Sequence, residues 1–229
     1  MIRWLQQAYR WAVPARWRTT WVLRVCKRLL YRVLPHDVAY SKDFFIEVMD
    51  GPASSSAPTM AQSIVDELHP HSVIDVGCGS GALLAALRDL GVRVHGFEKA
   101  KGGLAMCAER GLDVTAIDLA TGRFPPGTAA DVAVCFEVAE HIPARFASHL
   151  VSSLTGVAPV VLFSAAPPGQ GGTDHVNEQP ACYWADLFSE KGYSQDRRLQ
   201  ESLVRQWRAS ANVADWYTAN LLVFRVVRE

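Results

Sequence analysis

Long hydrophobic runs are missing from this 229-residue chain. No apolar stretch reaches the ~18 residues that a membrane-spanning helix needs. Arginine interrupts the N-terminal segment throughout, so it makes a poor secretory signal. Paired cysteines are missing as well. Cys26, Cys78, Cys107, Cys135 and Cys182 are scattered, odd in number and form no C-x-x-C. That pattern points to reduced thiols in a cytoplasmic protein. Internal repeats and low-complexity segments are also absent.

Net charge is zero, yet the first 34 residues contain no acid at all. They hold eight basic side chains, which leaves fifteen basic against twenty-three acidic over residues 35–229. An acidic body argues against a broad nucleic-acid footprint there. The basic segment also carries Trp4, Trp11, Trp17 and Trp21, and Pro14 divides it into two helical stretches. Cations beside Trp and Leu suit an interfacial helix on an anionic membrane, which would place the protein peripherally on the inner membrane face. The alternative is a helical arm that packs on the body or on a second subunit; the oligomeric state is left open.

What is abundant is apolar residue, 49% of the chain, enough for a sizeable core. The organising stretch is Val73-Ile74-Asp75-Val76-Gly77-Cys78-Gly79-Ser80-Gly81. A short β-branched strand runs into three alternate glycines, and Ala82 to Leu90 then has helical composition. Strand, glycine turn and helix make the start of a βαβ nucleotide site. The spacing is G-x-G-x-G, not the G-x-G-x-x-G of dinucleotide binders, and Asp75 precedes it by two residues. A carboxylate there would repel a pyrophosphate and suits a ligand that carries an ammonium group. A nicotinamide-dependent oxidoreductase, or a non-catalytic module with a cofactor pocket, are the alternatives that a glycine turn alone leaves open.

Further strands are expected at 92–97, 112–117, 131–136 and 158–164, with helices between them. That alternation requires a parallel sheet with right-handed crossovers, its ligand lying beyond the carboxyl ends of the strands. Asp75, Glu98, Asp118 and Glu137 all fall at such ends. Glu98, about twenty residues after the glycine turn, has the position of a ribose-binding acid. Residues 51–58 (GPASSSAP) read as a loop before a helix over 59–68. Phe44 and Phe45 suit either the core or a cover over the ligand. The long polar stretch 165–180 reads as a lid or acceptor-binding loop.

From about Tyr40 onward the chain resembles the class I S-adenosylmethionine-dependent methyltransferases. The resemblance implies a Rossmann-like, doubly wound α/β sheet of about seven strands, mostly parallel with the last antiparallel. The N-terminal helical arm, 1–39, lies outside it, and residues 40–229 form the methyltransferase domain. It implies S-adenosylmethionine as cofactor, bound by Asp75, Gly77, Cys78, Gly79, Gly81, Glu98, Asp118, Leu119 and Glu137, with Asp118 on the adenine amino group and Leu119 supplying backbone contact. More narrowly, EVAEHIP (137–143), FSAAPPGQGGTDHVNEQ (163–179) and WYTANLLVF (216–224) resemble a bacterial group linked with polysaccharide and glycolipid gene clusters. That implies O-methylation of a sugar hydroxyl in a glycan, glycolipid or other small-molecule acceptor.

An alcohol acceptor needs a base. His175 is the first candidate, with His141 and Glu137 shaping the same pocket. Glu137, Glu140, His141 and His175 also resemble the metal site of small-RNA 2′-O-methyltransferases, and ubiquinone-pathway O-methyltransferases carry a similar run. A divalent metal held there would assist methylation of RNA or a quinone-type molecule; the metal-free sugar reading is preferred, and nucleic acid is disfavoured by the acidic body.

Overall fold

A computed structural model describes residues 40–227. The expected basic arm, 1–39, lies outside the described residues. Within them the alternation of apolar runs and amphipathic helices produces one seven-stranded sheet. Its strands are β1 (Ser72–Val76), β2 (Arg93–Glu98), β3 (Val114–Ala116), β4 (Val132–Phe136), β5 (Val160–Ser164), β6 (Tyr193–Gln195) and β7 (Leu222–Val226). Their order is β3-β2-β1-β4-β5-β7-β6. β7 pairs antiparallel with both β5 and β6, while the pairs among β1 to β5 are parallel. The mostly parallel sheet with a reversed last strand is therefore as the sequence implied.

The central strands are apolar on both faces because helices cover both. Along β5, Val161 and Phe163 join one core and Val160 and Leu162 the other. The first core lies under α4 (Ala147–Thr155) and α5 (Ala181–Ser189), where Phe188 stacks on Phe224 at 3.9 Å between ring centroids. The second lies under α1 (Asp50–Leu68), α2 (Ala82–Asp89) and α6 (Arg197–Arg208). The remaining helices are α3 (Lys101–Glu109) and the short α7 (Asp215–Asn220), which leads into β7.

One expectation is overturned. The stretch GPASSSAP is not a loop but the first half of α1. Gly51 and Pro52 stand in its opening turn, which continues directly from the helical turn Phe45–Met49. Of the serines that suggested a loop, Ser56 turns inward. Ser55 and Ser56 donate to the Pro52 carbonyl at 3.1 and 2.7 Å, and buried Ser56 accepts from Ala214 N–H at 3.0 Å. Tertiary contact thus overrides local propensity, and Pro58 is tolerated inside the helix.

β6 and α6 also went unread. α6 is polar except for Leu199, Leu203, Val204 and Trp207; Leu199, Leu203 and Trp207 recur every four residues and are buried. Its cap, Asp196, accepts from the Leu199 N–H at 3.0 Å. Trp207 is fully buried and donates its indole N–H to Ser63 on α1 at 2.6 Å. Trp207→Ala should destabilise the protein by about 3–5 kcal/mol. Urea denaturation measures it, and a loss under about 1 kcal/mol would contradict this packing.

Candidate active site

A cavity of about 350 Å³ opens at the carboxyl ends of the strands. It lies where the strand order reverses, between β1 and β4, the expected position for a ligand in such a sheet. The turn after β1 is held open by Gly77, Gly79 and Gly81, all with positive φ. A Cβ on Gly77 would lie 2.5 Å from the Val138 side chain, and one on Gly103 of α3 would lie 2.7 Å from the Gly79 carbonyl oxygen. Backbone therefore packs on backbone around the turn, with no room for side chains.

Glu98 at the end of β2 locks this arrangement. Its carboxylate accepts from the N–H groups of Gly79, Lys99 and Ala100 at 2.8, 2.8 and 2.7 Å. Burial still raises its pKa, although the three amides oppose it. Asp75 is buried beside it, and burial followed by the Glu98 charge pushes its pKa up to about 8. Asp118 accepts from the Ala120 N–H at 2.9 Å and pairs with Lys99 Nζ at 2.8 Å. Leu119 is buried next to it. Asp75, Gly77, Cys78, Gly79, Glu98, Asp118, Leu119, Glu137 and His141 all line the cavity. Gly81 does not; it caps the N-terminus of α2. Phe44 and Phe45 are buried and stand on the cavity wall.

Glu137 follows β4 with φ 55°, a left-handed conformation that a glutamate adopts only under constraint. Its side chain supplies the constraint. Asn220 donates to it at 3.0 Å and Gln170 at 3.2 Å. His141 presents Nδ1 3.3 Å from both the Tyr40 hydroxyl and the Asp174 carbonyl oxygen. Its ring meets the His175 ring edge-on, 5.0 Å between centroids.

The structure places His175 behind His141, buried and off the cavity wall. Its Nδ1 lies 2.9 Å from Glu178, which also accepts from the N–H groups of Gly169 and Gly171 at 2.9 and 2.8 Å. Burial works against the Glu178 carboxylate, but these amides and the imidazole outweigh it and hold its pKa down. The loop is also pinned to the turn after β4, because Val176 and Asn177 donate to the Glu140 carbonyl at 2.8 and 3.0 Å. Of the polar stretch 169–179, only Asp174 lines the cavity. Glu140 is buried, and neither carboxylate oxygen reaches hydrogen-bond geometry with any described residue. Burial, then the Glu137 charge, raises its pKa to about 8, and the backbone amides of Glu140 itself and Ala166 oppose this without offsetting it. Glu140, His141 and His175 each offer a ligand atom within 4.8 Å of the others. Glu137 stands outside that cluster.

Sequence reasoning missed Tyr40, Gln170, Glu178, Tyr217 and Asn220 as parts of this site. Tyr40 lies outside every motif, and the other four fall in the segments 163–179 and 216–224 without an individual role legible there. They become neighbours only when the loop after β5 and α7 fold over the end of β4.

Residues 61–140, from α1 to the turn after β4, match the family described as methionine biosynthesis protein MetW. A ubiquinone biosynthesis O-methyltransferase of Idiomarina loihiensis is 33% identical over 84 residues, 34% of this chain and 35% of that protein. The chain thus spans about a third of the length of the relative it matches. Two solved structures superpose far more widely. Magnesium protoporphyrin IX methyltransferase of Synechocystis PCC 6803, with bound S-adenosylhomocysteine (SAH), is 19% identical with a TM-score of 0.56, covering 78% of this chain and 84% of that one. The sugar N-methyltransferase KedS8 of Streptoalloteichus sp. ATCC 53650 is 14% identical with a TM-score of 0.59, covering 81% and 92%. The fold is that of the class I methyltransferases.

Within this methyltransferase fold the acids of the crevice carry a pH signature. Asp75 ionises near its ordinary value of 3.8 in the unfolded chain but keeps its proton to about 8 when folded. Between those values the folded state binds the extra proton. Its contribution therefore makes stability fall as pH rises, levelling off above about 8. Asp75→Asn removes that contribution. Urea midpoints of ligand-free protein at about pH 5 and about pH 8 should fall further for the wild type than for the variant. An equal fall in both would contradict the burial account.

Proposed function

We propose that the chain is an S-adenosylmethionine-dependent methyltransferase that O-methylates a sugar hydroxyl of a glycan or glycolipid. One observation carries the cofactor reading: four acids, Asp75, Glu98, Asp118 and Glu137, stand at the ends of successive strands around one cavity. A ligand with an ammonium group and a sulfonium offsets the charge that burial makes costly at Asp75. Glu98 retains acceptor capacity for ribose hydroxyls, and Asp118 with Leu119 faces the adenine end. Gly77, Cys78 and Gly79 let the backbone approach the ligand. The relatives agree in kind, since one is an O-methyltransferase and another acts on a sugar.

Transfer is an in-line displacement at the sulfonium methyl, so alignment of the acceptor oxygen supplies much of the rate. His141 is the base, because it lines the cavity. The Asp174 carbonyl near Nδ1 can only accept, so a hydrogen on Nδ1 puts the basic lone pair on Nε2. His175 and Glu178 position the His141 ring, and Glu137 shapes the wall. A second reading is favoured by Glu140, whose buried, unsatisfied carboxylate fits a cation beside His141 and His175. A divalent ion held by those three residues would lower the pKa of an acceptor hydroxyl. The basic arm would bring the enzyme to the cytoplasmic face of an anionic membrane. No helix among the described residues is long and apolar enough to cross one.

Mass spectrometry of glycans and glycolipids from cells with and without the gene tests the acceptor. Loss of one methyl from a glycan is expected. Unchanged glycans with an undermethylated RNA or quinone would reject the sugar. With the acceptor in hand, His141→Ala should lower turnover about 10²-fold or more and leave SAH affinity within a few fold. Undiminished turnover would remove His141 as the base, and turnover abolished by a chelator would favour the metal reading.

A further inference from the structure

The crevice has two unlike halves. The half over β1, β2 and β3 is polar and holds Asp75, Glu98 and Asp118. The other half lies across β1, over β4 and the helix that feeds β7. Its walls are Met49, Ala53, Ala57, Met60, Phe136 and Tyr217. Met49, Ala53, Ala57 and Met60 follow one another at spacings of four, four and three residues, so they share one face of the helical segment that includes α1. Phe136 and Tyr217 pack against each other, 6.0 Å between ring centroids. None of these six side chains is charged. The polar groups on the cavity wall include Tyr40, Glu137, His141 and Asp174, which can take a sugar head, whereas these six side chains suit an apolar group.

The apolar character continues outward. Met49 is 38% exposed, Ile46 beside Phe45 is 52% exposed, and Trp216 beside Tyr217 is 39% exposed. Single exposed apolar residues are ordinary, but each of these is a wall residue of the cavity or a chain neighbour of one. The chain enters the described region at Tyr40, itself a wall residue. Ahead of it stand 39 residues with four tryptophans, and eight cations without an acid in the first 34. A segment of that composition suits an anionic surface, and it joins the described region at the cavity wall.

We propose that the acceptor is lipid-linked: a sugar head on a hydrocarbon chain, taken from an anionic bilayer, with the chain along the α1 slot and the hydroxyl at His141. This rests on the methyltransferase reading above and narrows its substrate class. In the transfer the methyl–sulfur bond of the cofactor breaks and an oxygen–methyl bond forms. The sulfur keeps the bonding electron pair, and the hydroxyl proton passes to His141.

The full chain, first titrated to saturation with SAH, is the material for the test. Failure to bind SAH would overturn the cofactor reading before any amphiphile is added. Dodecyl maltoside, below its micelle threshold, and maltose are then compared by calorimetry. The dodecyl chain should improve binding by at least about tenfold, since burying a few methylenes suffices. Ala53→Phe, which fills the slot, and Met49→Asp, which places a charge at its rim, should each remove most of that gain and leave SAH affinity within about twofold. Equal binding of maltose and dodecyl maltoside, or a gain untouched by both substitutions, would overturn the proposal.

Discussion

The crevice depends on one carboxylate. Glu98 accepts from an amide of the glycine turn and from two amides that open α3, so a single side chain braces both banks of the polar half. The brace works only because nothing else occupies the space between the turn and α3, where Gly103 touches the Gly79 carbonyl. A buried acid is costly, and three amides lower that cost without removing it. The same low-dielectric surroundings hold Asp75 protonated to about 8. Lys99 already pairs with Asp118. The crevice is thus richer in acid than in base, which is the electrostatic state that a cationic ligand relieves.

A second set of bonds depends on the first only through β4. The strand delivers Glu137 into a left-handed conformation, and the turn after it carries Glu140 and His141. The loop after β5 closes on that turn through two backbone bonds to Glu140 and through the Glu178 carboxylate, which gathers Gly169, Gly171 and His175. What looked in sequence like a lid is fastened to the turn it covers. Its polar groups go into its own closure, and of the stretch 169–179 only Asp174 reaches the cavity wall.

The sheet was legible because its signals are local. Short β-branched runs, a glycine turn and acids at run ends all lie within a few residues, so Asp75, Glu98, Asp118, Glu137 and His141 could be placed around the cavity before any coordinates. α1 was half hidden because Gly, Pro and Ser favour turns unless something distant uses them. Here the Ser56 hydroxyl is taken up by the segment before α7, and that partner lies 158 residues away. α6 shows the opposite failure: its Leu199, Leu203 and Trp207 spacing is a readable helical stripe among strongly polar neighbours. His175 was expected on the pocket wall but stands behind His141, because sequence shows residue type and not burial. The apolar slot was invisible for the same reason as α1, since two of its wall residues, Ala53 and Ala57, lie in the stretch mistaken for a loop.

The central claim is that an acid-rich crevice takes a cationic adenosyl ligand. Calorimetric titration of the intact protein with S-adenosylmethionine near pH 7, in two buffers of different ionisation enthalpy, tests it most directly. The account predicts one-site binding accompanied by net proton release, as the ligand cation draws Asp75 into its ionised form. Absence of binding by the folded protein, or tight binding of a nicotinamide dinucleotide in its place, would contradict it.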